Sequence, residues 1–142
     1  MKNIDTTVRF FVDLARIQAI MNRRFDNGLG GLGFNEFIIL IHLSQAENER
    51  MRRIDLAEKI GLTASGVTRI LLPMEKIGLV SKEVDRYDAR SSLVMIAPGG
   101  RRKLEEAMER AESLVNEIIP ADKRKKTKEL VEMLSDLCGF VK

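Results

Sequence analysis

A short run of small polar residues ending in an arginine is the part of the sequence best suited to hydrogen bonding with another molecule. It contains Thr63, Ala64, Ser65, Thr68 and Arg69. Hydroxyl groups can donate or accept, and a guanidinium can bind a guanine edge or a phosphate. Positions three and four apart lie on one helical face. The spacing therefore favours contact with nucleic acid at the start of a helix.

Two predicted helices must position this surface. Apolar side chains repeat at helical spacing on both sides of Gly61-Leu62. They are Leu56, Ala57 and Ile60 before the turn and Val67, Ile70, Leu71 and Met74 after it. Gly61 can adopt a positive φ and end the first helix, while Thr63 can cap the second. This pattern is typical of a helix-turn-helix, whose second helix presents its N-terminal residues to the major groove.

The residues that follow predict a β-hairpin. Residues 79–84 and 91–96 are β-prone, and the polar turn between them carries Arg86, a candidate for phosphate contact. The expected fold is mainly α with a small β-hairpin wing, a winged helix-turn-helix. A short strand is expected near Arg53 to join the hairpin, and Arg52 and Arg53 are either phosphate contacts or part of a solvated loop. Pro73 lacks an N–H and predicts a kink in the second helix.

These motifs, from Met51 to about Leu104, together resemble the DNA-binding lobe of the MarR family of transcriptional regulators. The matching residues are Leu56-Ala57, Gly61-Leu62, Val67-Thr68-Arg69, residues 75–80 and Asp88-Ala89-Arg90. The resemblance implies a dimer that binds a near-palindromic operator in double-stranded DNA. It also implies that Asp88 holds the hairpin tip in shape and that Arg90 enters the minor groove. A salt bridge from Arg90 to Asp85 or Asp88 is the alternative.

Charge is unevenly distributed along the chain of 142 residues, whose net charge is +3. Residues 51–103 hold eleven Lys and Arg against six Asp and Glu, a net +5, which leaves −2 for the remainder. A positive lobe on a slightly negative frame is expected of a DNA-binding protein, although ordinary surface scatter gives the same imbalance. Cys138 and His42 are the only residues of their types, which excludes an internal disulfide and Cys-rich or His-pair metal sites.

Long helices are predicted at both ends of the chain. In residues 5–26, apolar side chains form two adjacent stripes, where one stripe would suffice to cover the helix's own core. The stripes are Phe10, Leu14, Ile17 and Met21, and Val8, Phe11, Ala15 and Ala19. Two stripes favour a homodimer over a helix buried in a monomer. We therefore predict one domain, with dimerisation helices in residues 1–33 and 105–142 and the winged lobe in residues 34–104.

No cofactor is predicted. Gly28, Gly30 and Gly33 match the spacing of a dinucleotide fingerprint, but a charged helical segment precedes them where a strand is required. An interhelical loop is the better interpretation. In the last predicted helix, Leu130, Leu134, Leu137 and Val141 form an apolar stripe, and we expect Cys138 beside it to be a buried structural thiol.

The resemblance also implies a pocket for a small aromatic or phenolic effector between the helical frame and the lobe. The lining residues expected from this are Phe10, Phe11, Leu14, Phe34, Phe37 and His42.

The predicted function is a homodimeric, sequence-specific regulator of transcription, most often a repressor in the family that it resembles. A winged-helix module that binds another protein instead of DNA is the alternative. No serine, histidine and carboxylate constellation supports an enzyme. The sequence shows no apolar run of membrane-spanning length and no secretory signal pattern, so a cytoplasmic location is expected.

Overall fold

The structure is a computed structural model that describes residues 2–84, 86–87 and 92–140, without the side chain of Phe140. Six α-helices and three short strands lie within these ranges. In chain order they are α1 (Thr6–Gly28), α2 (Phe34–Gln45), β1 (Arg50–Arg52), α3 (Arg53–Ile60), α4 (Ala64–Lys76), β2 (Val80–Val84), β3 (Ser92–Ile96), α5 (Pro98–Ile118) and α6 (Lys125–Phe140).

The three strands form one antiparallel sheet in the order β1-β3-β2. Val80 of β2 lies opposite Ile96, and Arg50 of β1 lies opposite Met95 on the other side of β3. The predicted hairpin and the predicted short strand before α3 are both confirmed. A helix-turn-helix followed by this sheet is a winged helix. The wing residues Asp88 and Arg90 lie outside the described residues.

The core of the lobe surrounds α2. Ile39, Leu40 and Leu43 of this helix are completely buried, as are Leu56 of α3 and Val67 of α4. Burial of each such aliphatic side chain stabilises the fold by about 1.5–3 kcal/mol. Helix α2 is therefore the central element of the lobe. The glycine-rich segment before it connects two helices, as expected.

The turn between α3 and α4 forms as the sequence predicts. Gly61 ends α3 with φ 73°, a left-handed conformation that costs glycine little. The amide of Leu62 then donates to the carbonyl of Ala57 at 3.0 Å, and the Thr63 side chain caps α4. Helix α4 continues for three residues beyond Pro73, so this proline does not end the helix.

The two terminal helices contribute little to this core. Phe25 is the buried residue of α1, and no residue with a described side chain in α6 is buried. Cys138 is exposed, so the prediction of a buried thiol is wrong for the single chain. The reason is that no described side chain of α6 belongs to the core or packs against it. No helix in the described part of the chain is long and apolar enough to cross a membrane.

Candidate nucleic-acid interface

Helix α4 has one face in the core and the opposite face in solvent. Val67, Leu71 and Met74 are fully or almost fully buried, and they anchor the helix against α2 and α3. Ser65 and Arg69 lie away from this stripe and are exposed. The helix is therefore held by its apolar face, while its polar front is available to a ligand.

Thr63 fixes the start of this front. Its Oγ1 accepts a hydrogen bond from the amide of Gly66 at 3.1 Å and lies 3.3 Å from Oγ of Ser65. A side-chain cap of this kind typically stabilises a helix by about 1 kcal/mol. The remaining amides of the first turn give this end of the helix a partial positive charge, which favours anions. Thr63 therefore orders the end of the helix that would meet DNA.

Ala64 and Thr68 are half-buried and less available than the sequence suggested. The hydroxyl of Thr68 donates to the carbonyl oxygen of Ala64 at 3.0 Å. The hydroxyl oxygen of Thr68 in turn accepts a hydrogen bond from Nη1 of Arg53, the first residue of α3. The polar group of Thr68 is thus committed in large part to contacts within the lobe.

Carboxylates neutralise several of the arginines that make the lobe positive. Nitrogen to oxygen distances of 2.6–3.0 Å define three such pairs, which are Arg50 with Glu83, Arg52 with Asp55 and Arg101 with Glu49. Within the described ranges no ion pair involves Arg53 or Arg69. The positive charges of Arg53 and Arg69 are therefore not compensated by a carboxylate among the described residues.

The wing is only partly described. Arg86 is exposed just beyond the end of β2, and Tyr87 beside it is 97% exposed. Asp88 and Arg90 belong to residues 88–91, outside the described part of the chain, so their predicted roles stay predictions.

Comparisons with known proteins agree with this geometry. A model of the MarR family matches residues 34–92, which span the lobe from α2 to the start of β3. The crystal structure of the transcriptional regulator BldR from Sulfolobus solfataricus superposes with a TM-score of 0.84. Its sequence is 30% identical, and the match covers 99% of this chain and 100% of BldR. The chain belongs to the MarR family of transcriptional regulators.

Two other proteins place this MarR-family chain in context. The HTH-type transcriptional repressor YetL of Bacillus subtilis is 26% identical over 138 residues, or 95% of this chain and 83% of YetL. The organohalide-sensing regulator RdhR, solved with 2,4-dichlorophenol bound, has a TM-score of 0.81 at 19% identity. That match covers 99% of this chain and 83% of RdhR, and it shows a shared fold. The relatives are regulators of transcription and not enzymes.

The six residues predicted to line an effector pocket in this MarR-family chain lie in several environments. Phe37 is buried in the core, and the ring of Phe34 stacks on Phe25 with centroids 4.6 Å apart. The rings of Phe10 and Phe11 meet edge to face at 5.4 Å near the N-terminus.

Leu14 and His42, the remaining two, are both half-buried. Burial, and then the positive charge of Lys59, lower the pKa of His42 below its usual 6.5. The aromatic residues of the set form contacts at separate places in the single chain. The effector pocket therefore stays a prediction.

Arg53 is the residue whose position the sequence did not reveal. The sequence left it between a phosphate contact and a solvated loop, and nothing in it links residues 53 and 68. The structure makes Arg53 the first residue of α3 and joins its guanidinium to Thr68 on α4. Its neighbour Arg52 instead binds Asp55 through two nitrogens, at 2.9 and 3.2 Å. Two adjacent arginines thus have different surroundings, which sequence alone does not distinguish.

Proposed function

We propose that this MarR-family chain is a homodimeric, sequence-specific repressor that binds a near-palindromic operator. One observation carries the proposal: the polar front of α4 is exposed, and the charge of Arg69 is uncompensated within the described residues. A helix whose apolar side is locked in the core can enter a major groove as a rigid unit. Arg69 is suited to a guanine edge, and Ser65 to any base that offers a donor or an acceptor.

The wing extends this interface. Arg86, Asp88 and Arg90 follow β2, so the hairpin tip would lie against the DNA flanking the groove that α4 occupies. Arginine is favoured in narrow, A·T-rich minor grooves because of their strong negative potential. We assign Arg90 to the minor groove, Arg86 to a phosphate and Asp88 to the shape of the tip.

Dimerisation is supported by uncovered apolar side chains on the terminal helices. Large apolar residues of α1 and α6 are between 40% and 55% exposed, and they include Val8, Phe11, Val12, Ile17, Leu130, Val131, Met133 and Leu134. Exposed apolar surface of this extent commonly marks a protein interface. A twofold dimer would hold two copies of α4 about 34–36 Å apart, one turn of B-form DNA.

Repression and its release are the remaining parts of the proposal. YetL is named as a repressor, which favours the same sign of regulation here. RdhR binds 2,4-dichlorophenol in the same fold, which supports a small aromatic or phenolic effector. Such an effector would act by binding one spacing of the two lobes more tightly than the other. A protein that binds operators would work in the cytoplasm, which is the location expected from the sequence.

Selection of bound sequences from random duplex DNA tests the function. We expect an inverted repeat with half-site centres about ten base pairs apart. Arg69→Gln should weaken binding to the selected duplex roughly 5- to 150-fold, the value of one specific arginine contact. The control Arg24→Gln removes an exposed charge of α1 that pairs weakly with Glu117, and it should bind like the wild type. Failure to bind any duplex at about 50 mM salt would overturn the proposal.

A further inference from the structure

The link between Arg53 and Thr68 joins the starts of the two helices that form the DNA-binding motif. Arg53 is the first residue of α3, and Thr68 lies in the second turn of α4. Nη1 of Arg53 donates to Oγ1 of Thr68, and both residues are half-buried. The contact therefore fixes the direction of a guanidinium beside the exposed front of α4.

Thr68 has little hydrogen-bonding capacity left for a base. A threonine hydroxyl has a single donor and two lone pairs. In Thr68 the donor is directed at the Ala64 carbonyl at 3.0 Å, and Arg53 occupies one lone pair. Only one acceptor position remains, so the only hydrogen bond that the hydroxyl could make to a base in the major groove is from an exocyclic amino group. Its position in the network suits an internal support better than a reader of bases.

Arg53, in contrast, keeps most of its capacity. A guanidinium has several N–H donors in one plane, of which the hydroxyl of Thr68 engages one. A hydroxyl is neutral, so the positive charge of Arg53 is not cancelled as that of Arg52 is by Asp55. Among the described residues no carboxylate pairs with Arg53. The residue is thus oriented and still able to bind an anion.

We propose that Arg53 binds a backbone phosphate next to the bases contacted by α4, and that Thr68 is a positioning residue for Arg53. This inference rests on the proposed DNA-binding function and adds a phosphate contact from α3. It also gives Thr68 a role through Arg53, where the sequence suggested a direct contact. In helix-turn-helix complexes the first helix crosses the backbone while the second enters the groove, which places the start of α3 beside a phosphate.

Binding to the selected duplex at several salt concentrations tests the phosphate contact. Arg53→Gln should lower the affinity roughly tenfold and reduce the slope of log K against log salt by about 0.9, the value of one phosphate contact. The sequence preference should not change, because a phosphate carries no base information. Arg52→Gln is the matched control. It removes the same charge from the neighbouring residue, and Arg52 is already paired with Asp55. Equal salt slopes for the two variants would overturn the proposal.

A double-mutant cycle tests the role of Thr68. Thr68→Val keeps the side-chain shape, removes the hydroxyl and should cost several-fold in affinity, whereas Thr68→Ser should bind like the wild type. The double variant Arg53→Gln with Thr68→Val should bind no more weakly than Arg53→Gln alone. Losses that multiply would show that Thr68 contacts DNA independently and would contradict its positioning role.

The outcomes separate this inference from the proposed function. If the wild-type protein binds no duplex, both fail together. If the wild type binds duplex DNA, the proposed function stands. Equal salt slopes for Arg53→Gln and Arg52→Gln would then show that the phosphate contact of Arg53 is wrong, and losses that multiply in the double variant would show that the role of Thr68 is wrong. Thermal melts establish that each variant is folded. If Thr68→Val does not fold, Thr68→Ala takes its place in the double-mutant cycle, and the salt slope of Arg53→Gln still tests the phosphate contact.

Discussion

At Gly100 the first turn of α5 passes so close to the lobe that a methyl group has no room. A Cβ at this position would lie 2.1 Å from the carbonyl oxygen of Leu79, a backbone atom that cannot move aside alone. The same carbonyl accepts a hydrogen bond from the amide of Ala97 at 3.0 Å, which holds the two segments together. Glycine is therefore required at this junction between the long helix α5 and the lobe.

Gly100→Ala should destabilise the fold because the backbones must separate. We expect a loss of about 1–3 kcal/mol, the usual cost of forcing an extra group into packed structure, measured as the midpoint of thermal or urea unfolding. The matched control is Gly139→Ala in α6, where a Cβ meets nothing within 4 Å. Alanine is the better helix former there and should add up to about 1 kcal/mol. Equal effects at the two sites would refute the packing argument.

His42 should make the free energy of unfolding depend on pH. Burial, followed by the charge of Lys59, lowers the pKa of His42 below 6.5 in the folded protein. Between the two pKa values the unfolded chain binds the proton and the folded chain does not. The stabilisation associated with neutral His42 is thus complete above pH 6.5 and is lost as pH falls toward the folded pKa.

Urea unfolding of the wild type and of His42→Gln between pH 8 and about pH 5 measures this contribution. The wild type should lose free energy of unfolding on acidification below its unfolded pKa, and the variant should lose less over the same interval. Carboxylates titrate in both proteins and cancel in the difference. Parallel curves would show that His42 has the same proton affinity in both states.

At the scale of the helices and strands, most of the fold could be predicted because its determinants are local. The apolar period of α4, the positive φ of Gly61 and the Thr63 cap each lie within a few residues of the element that they define. The contacts that shape the interface are not local. Arg53 meets Thr68 across 15 residues, and Arg101 meets Glu49 across 52. No sequence period reports such pairs, so the sequence could not show which arginines keep their charge.

Pro73, where the sequence predicts a kink, lies inside α4, and the helix continues through it. It lacks the N–H that would bond the carbonyl of Arg69, so the helix carries a defect on its exposed face. Pro73→Ala should restore this bond and raise the unfolding free energy by about 1–3 kcal/mol. Pro98→Ala is the matched control, since Pro98 is in the first turn of α5, where proline is favourable. That variant should show no gain in a thermal melt.

The Pro73 variant also tests the path of the helix. If Pro73 bends α4 to the angle at which it fits the major groove, Pro73→Ala should be more stable than the wild type but bind the selected duplex more weakly. A variant that is no more stable than the wild type would contradict the defect in α4.

On the scale of the whole molecule, the lobe folds around a complete core while the terminal helices do not. The buried residues come mainly from α2, α3, α4 and the sheet, whereas the outer half of α1 and most of α6 keep apolar side chains in solvent. At about 25 cal/mol per Å², such surface favours association strongly. The two apolar stripes in the N-terminal sequence anticipated this arrangement, although a sequence cannot tell a face covered by its own chain from one covered by a second copy.

Charges placed on these exposed apolar residues should therefore separate the subunits of the proposed dimer without unfolding the lobe. Phe11→Asp and Leu134→Glu each put a carboxylate among exposed apolar residues, and both variants should sediment as monomers at micromolar concentration. Ile77→Glu is the matched control, because Ile77 is 68% exposed but lies on the lobe. It should sediment like the wild type.

The same variants connect assembly to function. In a linked pair of lobes, the second half-site binds at a high effective concentration, so loss of the dimer should cost about 10²-fold or more in operator affinity. Binding to a single half-site should change little, because α4 and the wing are untouched by either substitution. A monomeric variant that still binds the full inverted repeat as tightly as the wild type would show that spacing of the two lobes does not set recognition.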